Sequence, residues 1–268
     1  MSEAIKVDEP APNVHRITLN RPDARNAFTF EMYDALLDAL AQIRNNLAVR
    51  AVILTGAGSA FCTGHDLRGG GTNPNVPEGL GKPYANKLAM RHLSQIPAAL
   101  RNLPQPVIAA INGTAAGIGY ALALVADISL AAQSAKFVNA IHNAGTGHEL
   151  GMSYLLPRQV GSQRAAELLF TARPVLADEA ERIGLVVRTV PDDRLMPEAL
   201  EIAAGISANV PMGIWMTKQS LWFNQNASSL EAAIEFENRA VQIAQSTNDA
   251  VEKRTAFIEK RPPGYTLT

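Results

Sequence analysis

The chain has 268 residues, with 24 Lys and Arg against 25 Asp and Glu, and is 47% hydrophobic and 18% charged. That size allows one large domain, or one domain with an appendage, and either can bury a sizeable core. A net charge of −1 removes the electrostatic basis for nucleic-acid or anionic-membrane binding, and the lone cysteine, Cys62, excludes an intrachain disulfide and points to a reducing cytoplasm.

The first ten residues are acidic and hold no apolar stretch, so no secretory signal is expected. Residues His15 to Asn20 alternate polar and apolar as a half-buried strand does, and Arg21-Pro22-Asp23 ends it. From Phe30 to Leu47, Met32, Leu36, Leu40, Ile43 and Leu47 recur at spacings of three and four. This predicts an amphipathic helix capped by Thr29. Ala51 to Thr55 is a short apolar run closed by Gly56 and Gly58, the next strand of a βαβ unit. Between 68 and 82, Gly69-Gly70-Gly71, Pro74, Pro77, Gly79 and Gly81 predict a mobile surface loop.

Val107 to Ala126 is apolar enough to suggest a membrane span, but Pro104 and Pro106 precede it and Asn112-Gly113 breaks it. A buried strand over 107–111, a turn and a core helix explain it better. Ile128 to Ala131 and Val186 to Val190 predict further strands, and the class is α/β. After Pro191 the periodicity is helical over 196–208, 212–224 and 230–246, the last opened by a capping box, Ser228-Ser229-Leu230-Glu231. Trp215, Trp222, Phe223 and Phe236 are expected in the core. The division is a core over 1–195 and a helical unit over 196–268.

Residues Gly113 to Gly119 contain neither G-x-G-x-x-G nor a P-loop, so a nucleotide fold lacks its parts. Glycines there let backbone approach a ligand and leave helix amides pointing outward, which suits an oxyanion. Ala60 to Leu67, behind a buried strand, offers a second such place. The histidines and the cysteine have no zinc spacing, and G-x-S-x-G is absent.

Together, Leu19-Asn20-Arg21-Pro22 with Asn26-Ala27, the stretch from Phe61 to Leu67, Pro106 to Gly113 and Asp127-Ile128 resemble the crotonase family of enoyl-CoA hydratases and isomerases. So do Gly161, Glu179-Ala180 and Gly184-Leu185-Val186, in order over residues 10–265. The resemblance implies a spiral of repeated ββα units and a helical C-terminal region that builds homotrimers or hexamers. It implies an acyl-CoA thioester as ligand, coenzyme A being part of the substrate, with no metal, nucleic acid or membrane partner.

It further implies that the backbone N–H groups of His65 and Ile118 hold the thioester oxygen as enolate charge develops. Substrate and coenzyme A contacts carried over are Arg25, Ala27, Cys62, Gly64, Asp66 and Leu67. Gly117 and Ile141 join them, as do Phe257 and Lys260, the last two reaching a neighbouring subunit's ligand. Cys62 reads first as a small buried hydrophobe, and for Arg25 and Lys260 a solvated charge is an equally good account.

The two glutamates with which hydratases hold a water fall here at Ala121 and Ile141, and neither can move a proton. Glu149 falls where several isomerase members carry an acid/base aspartate. One carboxylate suffices to shift a double bond, although Glu149, near the start of a helix ending around Pro157, also suits a helix dipole. His65, His142 and His148 are rim candidates. Isomerisation is favoured over hydration. The competing expectation is a non-catalytic acyl-CoA-binding protein, and an RNA-binding relative is disfavoured by the lack of a basic stripe.

Overall fold

A computed structural model of the chain describes residues 3–68, 73–145 and 147–268. In chain order its first elements are β1 (Ile5–Ala11), β2 (Val14–Leu19), α1 (Phe30–Asn45), β3 (Ala51–Gly56), β4 (Ala60–Cys62), α2 (Lys82–Leu93) and α3 (Gln95–Arg101). There follow β5 (Val107–Ile111), β6 (Thr114–Ala116), α4 (Ile118–Val125), β7 (Ile128–Ala132), β8 (Lys136–Val138), α5 (Met152–Val160) and α6 (Ser162–Thr171). The chain ends with β9 (Val175–Leu176), α7 (Ala177–Arg182), β10 (Arg188–Val190), α8 (Leu195–Ser207), α9 (Pro211–Asn224), α10 (Leu230–Gln245) and α11 (Asn248–Glu259).

From β3 to β8 each turn of the chain feeds one strand to each of two sheets and then one or two helices. The larger sheet runs β1-β2-β3-β5-β7-β10 and the smaller β4-β6-β8-β9. Pairing is parallel except at the β1–β2 and β8–β9 edges. Both faces of the larger sheet are covered. Val52 and Leu54 of β3 enter the main core, while Ala51 and Ile53 meet a second cluster built with Leu195, Ala199 and Ala203 of α8. Two-sided burial is why β3 and β5 read as unbroken apolar runs. The apolar stretch over 107–126 is β5, β6 and α4, and no described helix is long and apolar enough to cross a membrane.

Local chemistry explains the boundaries. Thr29 caps α1 as expected, accepting from Met32 N, but the helix stops at Asn45 and Leu47 is exposed. The expected strand over 186–190 shortens to β10, because Val186 N and Val187 N bond to Ala180 O and Ser129 O outside a regular ladder. Pro157 sits within α5 instead of ending it: as the sixth residue it forgoes one N–H bond, the one to Ser153 O, and the helix runs only three residues beyond it. The α10 cap is Ser229, whose hydroxyl accepts from Ala232 N, not the Ser228–Glu231 box. Of the glycine-rich loop, 69–72 lie outside the described residues, and the remainder forms turns leading into α2.

The C-terminal aromatics do not join the core: Trp215, Trp222 and Phe236 are half-buried, and Phe223, stacked on Phe236 at 4.3 Å, is exposed. What seats α9 is charge. Lys218 Nζ lies 2.7 Å from Asp127 Oδ2 and donates to the carbonyls of Gln105 (2.9 Å) and Leu100 (3.2 Å). Asp127 also accepts from Trp222 Nε1 and Val107 N, each at 2.7 Å, and the Arg101 guanidinium covers the Trp222 ring. Both members of the ion pair are nearly sealed. Removing one partner of such a pair leaves a buried charge, so Lys218→Met is expected to lower unfolding stability by about 3–5 kcal/mol, read from the midpoint of chemical denaturation.

Candidate active site

After β2 the chain makes a 3-10 turn over Pro22–Ala24, and Arg25 and Asn26 take left-handed backbone angles. Asn26, fully buried, repays that strain: its Oδ1 accepts from Arg21 N (2.9 Å), and its Nδ2 donates to Ala57 O (2.9 Å) and Ala60 O (2.8 Å). This fastens the turn to the loop around β4. Phe28 N donates to Gly64 O, and Asp66 N to Phe28 O, each at 2.8 Å. A parallel bridge of that kind uses the groups flanking His65 and turns His65's own N–H to the opposite side. Among the described residues nothing accepts it.

The second N–H is Ile118's. As the first residue of α4 it has no intrahelical partner, and no described residue accepts its proton. The residue before each N–H is a glycine at positive φ, Gly64 (106°) and Gly117 (53°). A Cβ on Gly117 would stand 3.3 Å from Gly64 Cα, so the two turns touch main chain to main chain. Two residues further on, a Cβ on Gly119 would fall 2.3 Å from Cys62 O. The fold therefore brings the two glycines that precede these N–H groups into contact, and side chains added at Gly117 or Gly119 would crowd the main chain.

An aromatic wall stands beside them. The Tyr33 ring lies 4.9 Å from that of Phe28 and 5.9 Å from that of His65, and Phe30 is 5.1 Å from His65. Burial lowers the His65 pKa, Asp66 opposing it, so the ring is neutral near pH 7. Burial drives the Tyr33 hydroxyl far above its ordinary value, with further raising from Cys62 and Glu149. It is thus a neutral donor within electrostatic reach of the Glu149 carboxyl. Glu149 itself is half-buried and its pKa is raised by burial. The two positions that would hold a second acid/base group, Ala121 and Ile141, are buried and apolar.

Arg25, Ala27, Cys62, Gly64, Asp66, Leu67 and Gly117 fall around the paired N–H groups, though not alike. Arg25 and Leu67 are exposed, Ala27 is half-buried, and Asp66 is held by Arg21. Cys62 is sealed, its thiol pushed up to about 12 by burial. Phe257 and Lys260 stand at the end of α11, which packs against α10 and not among these loops. His142 engages Leu169 O at 2.8 Å, and its ring meets that of His148 edge-on at 5.4 Å. The sequence reading passed over Tyr33 and Arg21. Tyr33 follows Phe30 by three and precedes Leu36 by three, a spacing that would have put it on the buried face of α1; Arg21 finds Asp66 across 45 residues, which no local pattern encodes.

Comparison with known proteins fits this geometry. The family model described as enoyl-CoA hydratase/isomerase matches residues 9–267. A protein of Mycobacterium tuberculosis described as the probable enoyl-CoA hydratase EchA12 is 44% identical over 264 residues, 98% of this chain and 92% of its own. The 1,2-epoxyphenylacetyl-CoA isomerase of Escherichia coli is 34% identical over 253 residues, 94% and 95% of the two chains. A crystal structure of a probable enoyl-CoA hydratase/isomerase from Mycobacterium abscessus superposes with a TM-score of 0.90 at 40% identity, covering 98% of each chain. The chain belongs to the enoyl-CoA hydratase/isomerase family, a family of enzymes with the crotonase fold.

A carboxyl whose pKa is raised by folding costs nothing below its unfolded value and costs most above its folded one. Glu149→Gln is therefore expected to raise the melting temperature at pH 7, the gain vanishing as pH falls below the ordinary 4.5. A helix-dipole role predicts the opposite sign, so melting curves across pH separate the two.

Proposed function

We propose that this protein is an acyl-CoA isomerase: it binds an enoyl-CoA thioester, holds the thioester oxygen on the N–H groups of His65 and Ile118, and moves a proton with Glu149. The carboxylate of Glu149 takes a proton from the α- or γ-carbon. The electron pair passes into the thioester as a dienolate, and the proton returns to the other carbon, with no net change in composition. Charge at the oxygen is largest in the intermediate, so fixed donors aimed there lower the barrier more than they aid binding. A carboxyl with a raised pKa is a stronger base and remains able to return its proton.

The observation that carries the reading is the contact of Gly64 with Gly117, each of which immediately precedes an N–H that has no acceptor among the described residues. Apolar Ala121 and Ile141 argue against two-carboxylate hydration, leaving one proton carrier. The name of one relative, 1,2-epoxyphenylacetyl-CoA isomerase, accords with rearrangement chemistry. In this reading Arg25, Ala27, Asp66 and Leu67 flank the coenzyme A moiety, and Gly117 and Ile141 the acyl chain. The helical region after 196 supports a homotrimer in which Phe257 and Lys260 reach a neighbour's coenzyme A; exposed Leu230, Ile234 and Phe257 are consistent with such contacts.

Incubation with 2-enoyl- and 3-enoyl-CoA in deuterated water, followed by absorbance and mass, tests the reading. Turnover with deuterium entering the α-carbon is expected, falling by about 10²-fold or more in Glu149→Gln and unchanged in Glu78→Gln, a surface control. Tight acyl-CoA binding with neither exchange nor turnover identifies instead a carrier that has lost its carboxylates.

A further inference from the structure

A tyrosine enclosed in a core normally finds a hydrogen-bond partner for its hydroxyl, because leaving that group dry and unpaired is costly. Tyr33 is 2% exposed and has none: no described residue bonds its oxygen, which, unlike that of Tyr120, is not sealed. Its ring is held by Phe28, His65 and Phe30, at 4.9, 5.9 and 6.5 Å between ring centroids. So fixed, the hydroxyl cannot swing away to reach an acceptor elsewhere.

Two neighbours place that oxygen. One is the sulfur of Cys62, itself within hydrogen-bonding reach of the backbone N–H groups of Gly64 and Gly119, which stand just before His65 and just after Ile118. The other is the Glu149 carboxyl, whose field reaches the phenol although no hydrogen bond joins them. The phenol thus lies within reach of both the donor turns and the proposed proton carrier, beside the path of a bound acyl chain. It is a donor throughout, since burial keeps it protonated well above neutral pH.

We infer that Tyr33 is a specificity-determining residue: its hydroxyl donates to an oxygen carried on the acyl chain, so that the preferred ligand is an oxygen-substituted acyl-CoA and not a plain hydrocarbon one. The inference rests on the proposed function and names the substrate class of that same site. Counting donors and acceptors selects the class. A thioester oxygen offers two lone pairs, and the N–H groups of His65 and Ile118 take both. A plain enoyl chain brings no other acceptor, and binding it leaves the phenol unpaired. A hydroxyl, carbonyl or ether oxygen along the chain supplies what is missing, and a site built to pair with such a group discriminates against an analogue that lacks it.

The test uses size-matched pairs of saturated thioesters, which have no double bond to move: 3-hydroxybutyryl-CoA against 3-methylbutyryl-CoA, and 4-hydroxybutyryl-CoA against pentanoyl-CoA. Affinities are read by titration calorimetry on the full-length protein and on Tyr33→Phe, which removes the hydroxyl alone. In a purely apolar pocket the methyl members would bind better. Here at least one hydroxylated ligand is expected to bind the wild type roughly 10-fold more tightly than its partner, and Tyr33→Phe to erase that preference by weakening the hydroxylated member only. The melting temperature of Tyr33→Phe should not fall, because no protein group loses a bond.

A wild type that binds neither hydroxylated ligand better than its partner, a preference that survives in Tyr33→Phe, or a Tyr33→Phe protein that melts well below the wild type or fails to fold overturns the inference. Deuterium exchange at the α-carbon, lost in Glu149→Gln, reports the proposed function separately. Exchange without the hydroxyl preference overturns this inference and leaves the proposed function standing, whereas failure to bind any of the four thioesters overturns both.

Discussion

The contact between Gly64 and Gly117 is the constraint around which the site is built. A Cβ on Gly117 would crowd Gly64 Cα at 3.3 Å, and both residues hold positive φ, 53° and 106°, that a side chain would strain. Each glycine immediately precedes an N–H with no partner among the described residues. Leaving two such groups unpaired costs stability in a protein interior, and that cost is tolerable where a ligand oxygen supplies the missing acceptor. In the proposed function, placement of the donors is a property of backbone, so a bulky Ile118 can occupy one of the two positions.

Rigid support for that contact comes from polar side chains that satisfy turns. Asn26 holds the loop before β4, and Asn112 does the same one layer on, accepting from Gly56 N and donating to Gly58 O. The turns of the spiral are too short to close their own hydrogen bonds, so buried amides complete them. Asp127 plays a comparable part at the far end of α4, gathering the start of β5 and two side chains of α9 onto a single carboxylate. Desolvating Lys218 and Asp127 gains little over an apolar pair; what it secures is one seating for α9.

The apolar runs of β3 and β5, the capped helix α1 and the α/β class were legible because burial on both faces writes itself into sequence as uninterrupted Val, Ile, Leu and Ala. The short strands β4, β6 and β8 were not, since three residues carry no measurable period. The helix α11 is not among the expected elements; it starts three residues after α10 ends, and its start is set by Thr247, which accepts from Ala250 N. Aromatic residues of the C-terminal helices misled because size favours burial on average, while here a charged pair seats the helix and the rings stay at its margin. In the candidate site, the two glycine turns that precede the His65 and Ile118 N–H groups could be picked out from glycine patterns and resemblance. The meeting of the Phe30 and Tyr33 rings with His65 and the Arg21–Asp66 pair could not, being products of contact across tens of residues.

Cys62 shows what the same close packing implies for chemical selectivity. Thiolates add readily to carbon–carbon double bonds conjugated with a thioester, and on the proposed substrate such a bond would lie a few atoms from this residue. Enclosure holds the sulfur in its protonated, weakly nucleophilic state, out of contact with solvent. The only thiol in the sequence is thereby kept from being alkylated by the electrophile proposed to bind nearby.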